Sequence, residues 1–414
     1  MRFFFPDSQD QIDPSFDFVT EERTPHRVRQ RDDHYAHEAL ATPPVDGILV
    51  SKTIVDGTRR GAGKYTAAQR HRLYRVGVRQ FFRLDTVVGP AMASMGDCGA
   101  FSYVTEEEPP YTPDEVIDFY AECGFDLGLS VDHVILGYDR KADEKATEDL
   151  DAVWRRRQEL TIDLAAEFLR RTRARRVSFQ PVGVAQGWSP GSYAVAVREL
   201  QRIGYKRIAL GGMVPLRTED IVACLQALDG VRDPATEFHL LGITRCDNVE
   251  QFASFGVTSF DSTSPFRQAF KDDRNNYYTL GGAYTALRVP QVDANAKLKA
   301  RIRAGQISQP TAIALERRCL ELLRAHDAGA ATVDAVVEAL GAYERLYDGR
   351  QDRTDRYRRT LEEHPWKTCP CGICEDVGIE VAVFRGAERN KRRGFHNLFV
   401  FHHRLVRELT AVTR

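Results

Sequence analysis

Short apolar runs rich in Val, Ile and Phe alternate, over the first two thirds of the chain, with longer segments whose apolar positions recur at helical spacing. A run that stays apolar on consecutive residues suits a strand covered on both faces, and a helix after each run supplies the crossover that parallel strands require. The candidate strands are residues 2–5, 47–50, 87–92, 127–131, 177–181, 207–210, 237–241 and 258–260. The candidate helices between them are 113–122, 147–171, 192–203, 218–228 and 248–255, with Ser192 and Asp247 placed as caps or first-turn acceptors. Eight such strands predict an α/β protein built as a (β/α)8 TIM-like barrel; a doubly wound parallel sheet is the alternative.

The pattern changes near residue 290. From Asp293 to Leu361 the chain is rich in Ala, Leu, Glu and Arg at helical spacing, with few strand formers. Ser308, Gln309 and Pro310 read as a helix start, and Asp327, Ala328 and Gly329 as the turn before a helix that begins near Thr332. The expected organisation is a barrel over residues 1–290, a helical insertion over 291–362, and a C-terminal subdomain over 363–414 whose terminal helix closes on the barrel.

Composition narrows the class. With 414 residues, 43% hydrophobic and 28% charged, the chain has the make-up of a soluble globular protein. The apolar run Phe3 to Phe5 is broken by Pro6 and Asp7, too short for a signal peptide or a membrane span, so a cytoplasmic protein without membrane attachment is expected. A net charge of -1 excludes a uniformly basic nucleic-acid binder and leaves local patches to do that work. Arg170, Arg171, Arg173, Arg175 and Arg176 fall at a helix end, where they complement the helix dipole. The better candidates are Arg389, Lys391, Arg392 and Arg393, and the glycine-containing loop with Arg59, Arg60 and Lys64, although a charge run is often only a solvated face.

Of eight cysteines, five stand alone and three crowd into Cys369-Pro-Cys371-Gly-Ile-Cys374. Three thiolates and one imidazole complete a closed tetrahedral site, so a structural Zn2+ is expected, with His396 as the fourth ligand and His402 and His403 as alternatives. A second group of residues falls just past predicted strand ends, where barrel enzymes build active sites: Asp97, Asp132, Gln186, Gly211 with Gly212, and Asp261. Each alone reads equally as a cap or turn former.

In this order, and ahead of the cysteine cluster, these segments resemble the tRNA-guanine transglycosylase superfamily over most of the chain. Asp97-Cys98-Gly99-Ala100-Phe101-Ser102 resembles the family's Asp-Ser-Gly-Gly-Phe-Gln; Ala185-Gln186-Gly187-Trp188 resembles Val-Gln-Gly-Gly; Gly211-Gly212-Met213 resembles Gly-Gly-Leu. Phe260-Asp261-Ser262-Thr263-Ser264-Pro265-Phe266-Arg267 keeps the Pro and Arg offsets of the family's nucleophile motif, and His396-Asn397-Leu398 follows the cysteines as the family's His-Asn-Leu does, at a shorter spacing. The resemblance implies Asp261 as nucleophile, Asp97 as general acid/base, and Cys98, Asp132, Gln186, Gly211, Gly212 and Met213 as base-binding residues, with Arg267 near the nucleic acid. More narrowly, Phe3-Phe4-Phe5-Pro6-Asp7-Ser8-Gln9-Asp10 and Asp46-Gly47-Ile48-Leu49-Val50-Ser51-Lys52 are similar to the DpdA-type branch, which inserts a 7-deazaguanine into DNA.

Arg217 stands roughly where queuosine-forming relatives carry a glutamate for an aminomethyl group, which implies 7-cyano-7-deazaguanine as the incoming base. The implied partners are DNA, that base, and a protein that opens or presents the duplex, since a stacked nucleotide must be extruded before its C1′ can be attacked. Oligomeric state stays open. A tRNA-modifying enzyme, a base-releasing hydrolase and a zinc-stabilised binding scaffold without catalysis are the other readings. Two carboxylates at one barrel face speak against the last.

Overall fold

The computed structural model describes residues 1–58, 60–86, 91–145, 151–348 and 350–412. Eight parallel strands close into a barrel: β1 (Arg2–Pro6), β2 (Gly47–Ser51), β3 (Ala93–Asp97), β4 (Leu127–Leu129), β5 (Gln180–Ala185), β6 (Arg207–Leu210), β7 (Glu237–Leu240) and β8 (Val257–Asp261). Closure is made where β1 pairs with β8, with Phe4 opposite Asp261, and this excludes the doubly wound sheet. The apolar cluster of the interior is Phe4, Leu49, Met95, Leu127, Leu129, Val182, Val184 and Ala209. The spacing of two within β4 and β5 shows these side chains sharing one face of their strands.

Two strands lie later than their apolar runs suggest. The run at 87–92 is not β3: residues 87–90 fall outside the described residues, and the strand is Ala93-Ser94-Met95-Gly96-Asp97. Its outward positions are small because helix Pro113–Cys123 lays the ring of Tyr120 on them; a methyl group at Gly96 would come within 2.3 Å of that ring, and one at Gly128 in β4 within 2.5 Å. Likewise β5 begins at Gln180, and Phe179 packs its ring on Tyr120 instead of extending the strand. An aromatic wedge between helix and sheet thus replaces the branched residues that strand recognition relies on.

The crossover helices are Ala152–Arg175, Pro190–Ile203, Thr218–Asp229 and Val249–Ser254. Residues 146–150 lie outside the described residues, and Asp151 caps the first of these helices through the Val153 N–H at 2.8 Å. Ser189, not Ser192, caps the second: Ser189 Oγ accepts the Ser192 N–H at 3.1 Å, while Ser192 Oγ accepts the Ser189 N–H at 2.9 Å, a reciprocal box. Asp247 sits in the 3-10 turn Cys246–Asn248, and Asn248 starts the following helix without a side-chain cap.

Residues Asp10–Pro44 and Ser264–Arg404 form a second compact unit. It holds the helices Ala296–Arg303, Gln309–Asp327, Val333–Tyr347 and Thr354–Glu363; Ser308 and Thr332 cap the second and third, as their sequence positions suggest. The terminal helix runs Gly386–Val412, which places His396 ten residues past its first residue. Among the described residues no helix is long and apolar enough to cross a membrane.

The basic run in that helix is a correction. Arg389, Arg392 and Arg393 are buried. Arg389 Nε donates to Glu380 Oε2 at 2.6 Å, Arg392 donates to Glu388 Oε2 at 2.9 Å and to the Asp13 carbonyl at 2.6 Å, and Lys391 Nζ donates to the Gln11 carbonyl at 2.8 Å. Arg393 is fully buried and serves the carbonyls of Ala269 (3.1 Å), Val381 (3.2 Å) and Val383 (3.0 Å). These donors are spent inside the unit, so the run holds segments together and offers no patch to phosphates. Arg59 of the third run lies outside the described residues.

Replacing Arg393 with Met should strand three buried carbonyls and lower stability by about 2–4 kcal/mol in urea unfolding. A solvent-facing arginine would change it by less than about 0.5 kcal/mol, and that result would refute the structural role.

Candidate active site and metal centre

The C-terminal ends of the strands bring the chemistry together. Asp97 ends β3 and Asp261 ends β8; Asp132 follows β4 by three residues, Gln186 follows β5, and Gly211, Gly212 and Met213 follow β6. In a parallel barrel all these positions open on one mouth.

Asp97 Oδ2 accepts the hydroxyl of Ser51, its register partner in β2, at 2.7 Å. Its pKa is raised: burial is the largest cause and the charge of Asp261 adds to it, against the Ser51 hydroxyl and the backbone N–H groups of Gly99 and Cys98, which pull it down. The chain can turn back onto the carboxylate because residue 99 is glycine. Its φ is +89°, and a methyl group there would lie 1.9 Å from Thr53 Oγ1.

Asp132 is 3% exposed. One oxygen accepts Gln186 Nε2 at 2.7 Å and the other faces Cys98 Sγ at 3.1 Å, while Tyr103 donates its hydroxyl to the Asp132 carbonyl at 3.0 Å. Burial, then the charge of Asp97, pushes its pKa up to about 7, with Cys98 and Gln186 opposing. The Cys98 thiol is itself driven well above its ordinary value by burial and by Asp132 and Asp97. One ligand atom from each of Asp97, Cys98 and Asp132 lies within 4.8 Å of the others. This is an acidic pocket that holds on to protons.

The amide of Gln186 is engaged at both ends, since its Oε1 also accepts the Ile135 N–H at 3.2 Å. Gly211 and Gly212 leave room for it: methyl groups there would lie 2.2 Å from Gln186 Nε2 and 2.4 Å from the Ile135 carbonyl. Met213 is buried. Arg267 belongs to the second unit and lines a hollow of ≈ 550 Å³ with Gln268, Lys271 and Arg274.

At Asp261, Oδ1 accepts the Gly242 N–H at 3.0 Å and faces His239 Nε2 at 3.2 Å. His239 Nδ1 lies 2.9 Å from the hydroxyl of Ser259, its register partner in β8. If that hydroxyl donates to Nδ1, the imidazole carries its proton on Nε2 and donates to Asp261. Sequence reasoning passed over His239; the available signal was a polar residue between Phe238 and Leu240 in a strand whose neighbours point the other way.

The second unit holds the candidate metal ligands. Cys369, Cys371 and Cys374 place their sulfurs 3.4, 3.5 and 3.3 Å from His396 Nδ1. A tetrahedral ion with metal–sulfur bonds of about 2.3 Å and a metal–nitrogen bond of about 2.0–2.1 Å puts sulfur and nitrogen about 3.5 Å apart. The set therefore fits such an ion. His396 Nε2 meets the Tyr278 carbonyl at 2.8 Å, which fixes the tautomer and leaves Nδ1 its lone pair. Asn397 clamps the strand that presents this carbonyl, accepting the Tyr278 N–H at 2.9 Å and donating to the Asn276 carbonyl at 3.1 Å. His396, not His402 or His403, is thus the histidine of the cluster.

No family model matches the chain. A DNA-guanine transglycosylase of Salmonella montevideo is 49% identical to it over 410 residues, which cover 98% of this chain and 96% of that protein.

The raised pKa of Asp132 carries a sign. The native state binds its proton more tightly than the unfolded chain, so this group costs stability progressively as pH climbs from about 4 to about 7, by about 4 kcal/mol at most. Asp132→Asn removes that cost and can still accept from Gln186. Its melting temperature should exceed the parent's at pH 8 and match it near pH 4; the same difference at both pH values would contradict the assignment.

Proposed function

The chain belongs to the DNA-guanine transglycosylase family, and on that premise we propose that it replaces a guanine of DNA with 7-cyano-7-deazaguanine through a covalent bond between Asp261 and C1′ of the sugar. The observation that carries this reading is the unequal setting of two carboxylates in one barrel mouth: Asp261 accepts the Gly242 N–H and faces His239, while burial and the charge of Asp261 raise the pKa of Asp97. A retaining displacement needs that division.

Asp261 Oδ1 is occupied by the Gly242 N–H and the His239 imidazole, which leaves Oδ2 as the attacking oxygen. As the C1′–N9 bond breaks, Asp97 gives its proton to N9 of the departing guanine, and an ester-like C1′–Oδ2 bond forms. The incoming base then reverses the step: its N9 attacks C1′, Asp97 takes its proton, and Asp261 leaves as a carboxylate. No electrons are exchanged with a cofactor. His239 and Ser259 act as positioning residues for the nucleophile.

Asp132 meets the N1–H and amino donors of a guanine-like ring, and Gln186 acts first as the partner that orients it. The Gly211–Gly212–Met213 backbone addresses the acceptor side, and Cys98 completes the floor. A pocket that leaves these groups unpaired with the wrong base rejects it strongly. The cluster of Cys369, Cys371, Cys374 and His396 takes Zn2+ in a closed site whose contribution is folding free energy. Because the target nucleotide must leave the stack, a protein that opens or presents the duplex belongs to the reaction.

The covalent step is checked by denaturing electrophoresis of the enzyme with labelled DNA or labelled tRNA. A shifted band should form with DNA, and Asp261→Asn should abolish it along with guanine release, because an amide is a far poorer nucleophile. Asp97→Asn should slow exchange by roughly 10²-fold to 10⁴-fold while keeping the nucleophile. A band that survives Asp261→Asn moves the bond elsewhere, and label entering tRNA alone removes DNA as the substrate.

Zinc is tested apart from catalysis. Cys371→Ser should lower zinc content and thermal stability together, and the residual folded, metal-bearing fraction should turn over normally. Full zinc occupancy with lost turnover would make the metal catalytic.

A further inference from the structure

With Arg389, Arg392 and Arg393 of the terminal helix turned inward, the second unit still carries a cationic hollow that the chemistry above does not use. Its volume is ≈ 290 Å³, and its walls are Arg274, Asn275, Tyr284, Thr285, Arg356, Arg359 and Thr360, with Ala283. Three guanidiniums line it and, among the described residues, no carboxylate does. The walls are fixed by their own bonds: Thr285 donates to the Arg274 carbonyl at 2.6 Å, and Thr360 donates to the Thr285 carbonyl at 2.9 Å. Arg359 lies over the Tyr284 ring at 4.5 Å and pairs with Glu363 at 3.0 Å, which neutralises one of the three charges from outside the hollow. For the side chains of Arg274 and Arg356, no hydrogen bond or ion pair is found among the described residues, and both are exposed.

Two unpaired guanidiniums lining a polar hollow present forked donors of the kind that phosphate oxygens accept. We propose that this hollow is a phosphate site and that it holds a backbone phosphate of the nucleic acid on which the enzyme acts. The anion chemistry is read from the hollow itself; only the identity of the polymer rests on the DNA reading above. Such a contact positions the polymer without reading its sequence, which suits a chain whose net charge is -1 and whose cations must be concentrated to be useful.

The test uses the full chain carrying Asp261→Asn, so that chemistry cannot intervene. Affinity for labelled DNA is measured across a salt series for this parent and for the same chain with Arg274→Gln, with Arg356→Gln, and with Arg202→Gln, which removes an exposed cation elsewhere. Arg274→Gln and Arg356→Gln should each weaken binding to all sequences alike and reduce the slope of log K against log salt by about 1, with melting temperature unchanged; Arg202→Gln should leave the slope alone. Unchanged slopes in both test variants overturn the site. So does inorganic phosphate that binds the parent and is lost in the variants while DNA slopes stay put, since that describes a site for a free anion. If RNA shows the slope loss and DNA does not bind, the phosphate site stands and the DNA reading fails.

Discussion

Everything at the mouth of the barrel depends on two lines of strand pairing. β2 lays Ser51 beside Asp97, and β1 lays Phe4 beside Asp261. Because β1 also pairs with β2, the ends of β3 and β8 are tied through two intervening strands, although 163 residues separate the two aspartates in the chain (261 minus 97, less one). A loop closed over that length by side chains alone would hold nothing in place. A closed sheet has no edge along which to slip, and a slip of one residue would turn both carboxylates to the opposite face.

Fixed in this way, the two acids are made different by their neighbours. Asp261 accepts a backbone N–H and faces a histidine; Asp97 accepts the Ser51 hydroxyl and the Gly99 and Cys98 N–H groups, and burial with the charge of Asp261 still raises its pKa. The donors to Asp261 come from β7 and the turn after it, so they are as rigid as the sheet. The partner of Asp97, Ser51, is likewise a strand residue. Electrostatic asymmetry here is a property of the framework and needs no mobile loop to arrange it.

How much of this could be read from the chain depended on how each residue announces its neighbours. Asp97, Asp132, Gln186 and Asp261 were legible because each ends a strand or follows one, and the metal cluster because its cysteines are two and three residues apart. The β3 boundary was not legible, since Gly96 and Ser94 are small for the sake of Tyr120 and an Asp126 carboxylate that lie elsewhere in sequence. The charge run at 389–393 misled for the same reason. Its partners, Glu21, Glu380, Glu388 and a set of carbonyls, are mostly distant in the chain, and charge alone does not say whether a guanidinium faces water or peptide oxygen. His239 looked like one more residue of a strand; only its register with Ser259 and its reach to Asp261 give it a task.

The acidic pocket raises a last question of proton accounting. Asp132, with a pKa near 7, stands beside Asp97, also raised, and beside a thiol that resists ionisation, so burial biases the pocket toward its protonated forms. Two donors already favour the ionised form of Asp132, and they do not suffice against burial. In the proposed reaction a guanine-like ring adds two more, at the same carboxylate and in a site from which water has been expelled. The added donors favour ionisation, so docking of the base would lower the pKa of Asp132 and release its proton to solvent. Asp97 then faces a new negative charge as well as that of Asp261, which raises its pKa further and strengthens its hold on the proton that N9 must receive. Base recognition and the arming of the general acid thereby become one electrostatic event, carried by carboxylates whose positions the barrel has already set.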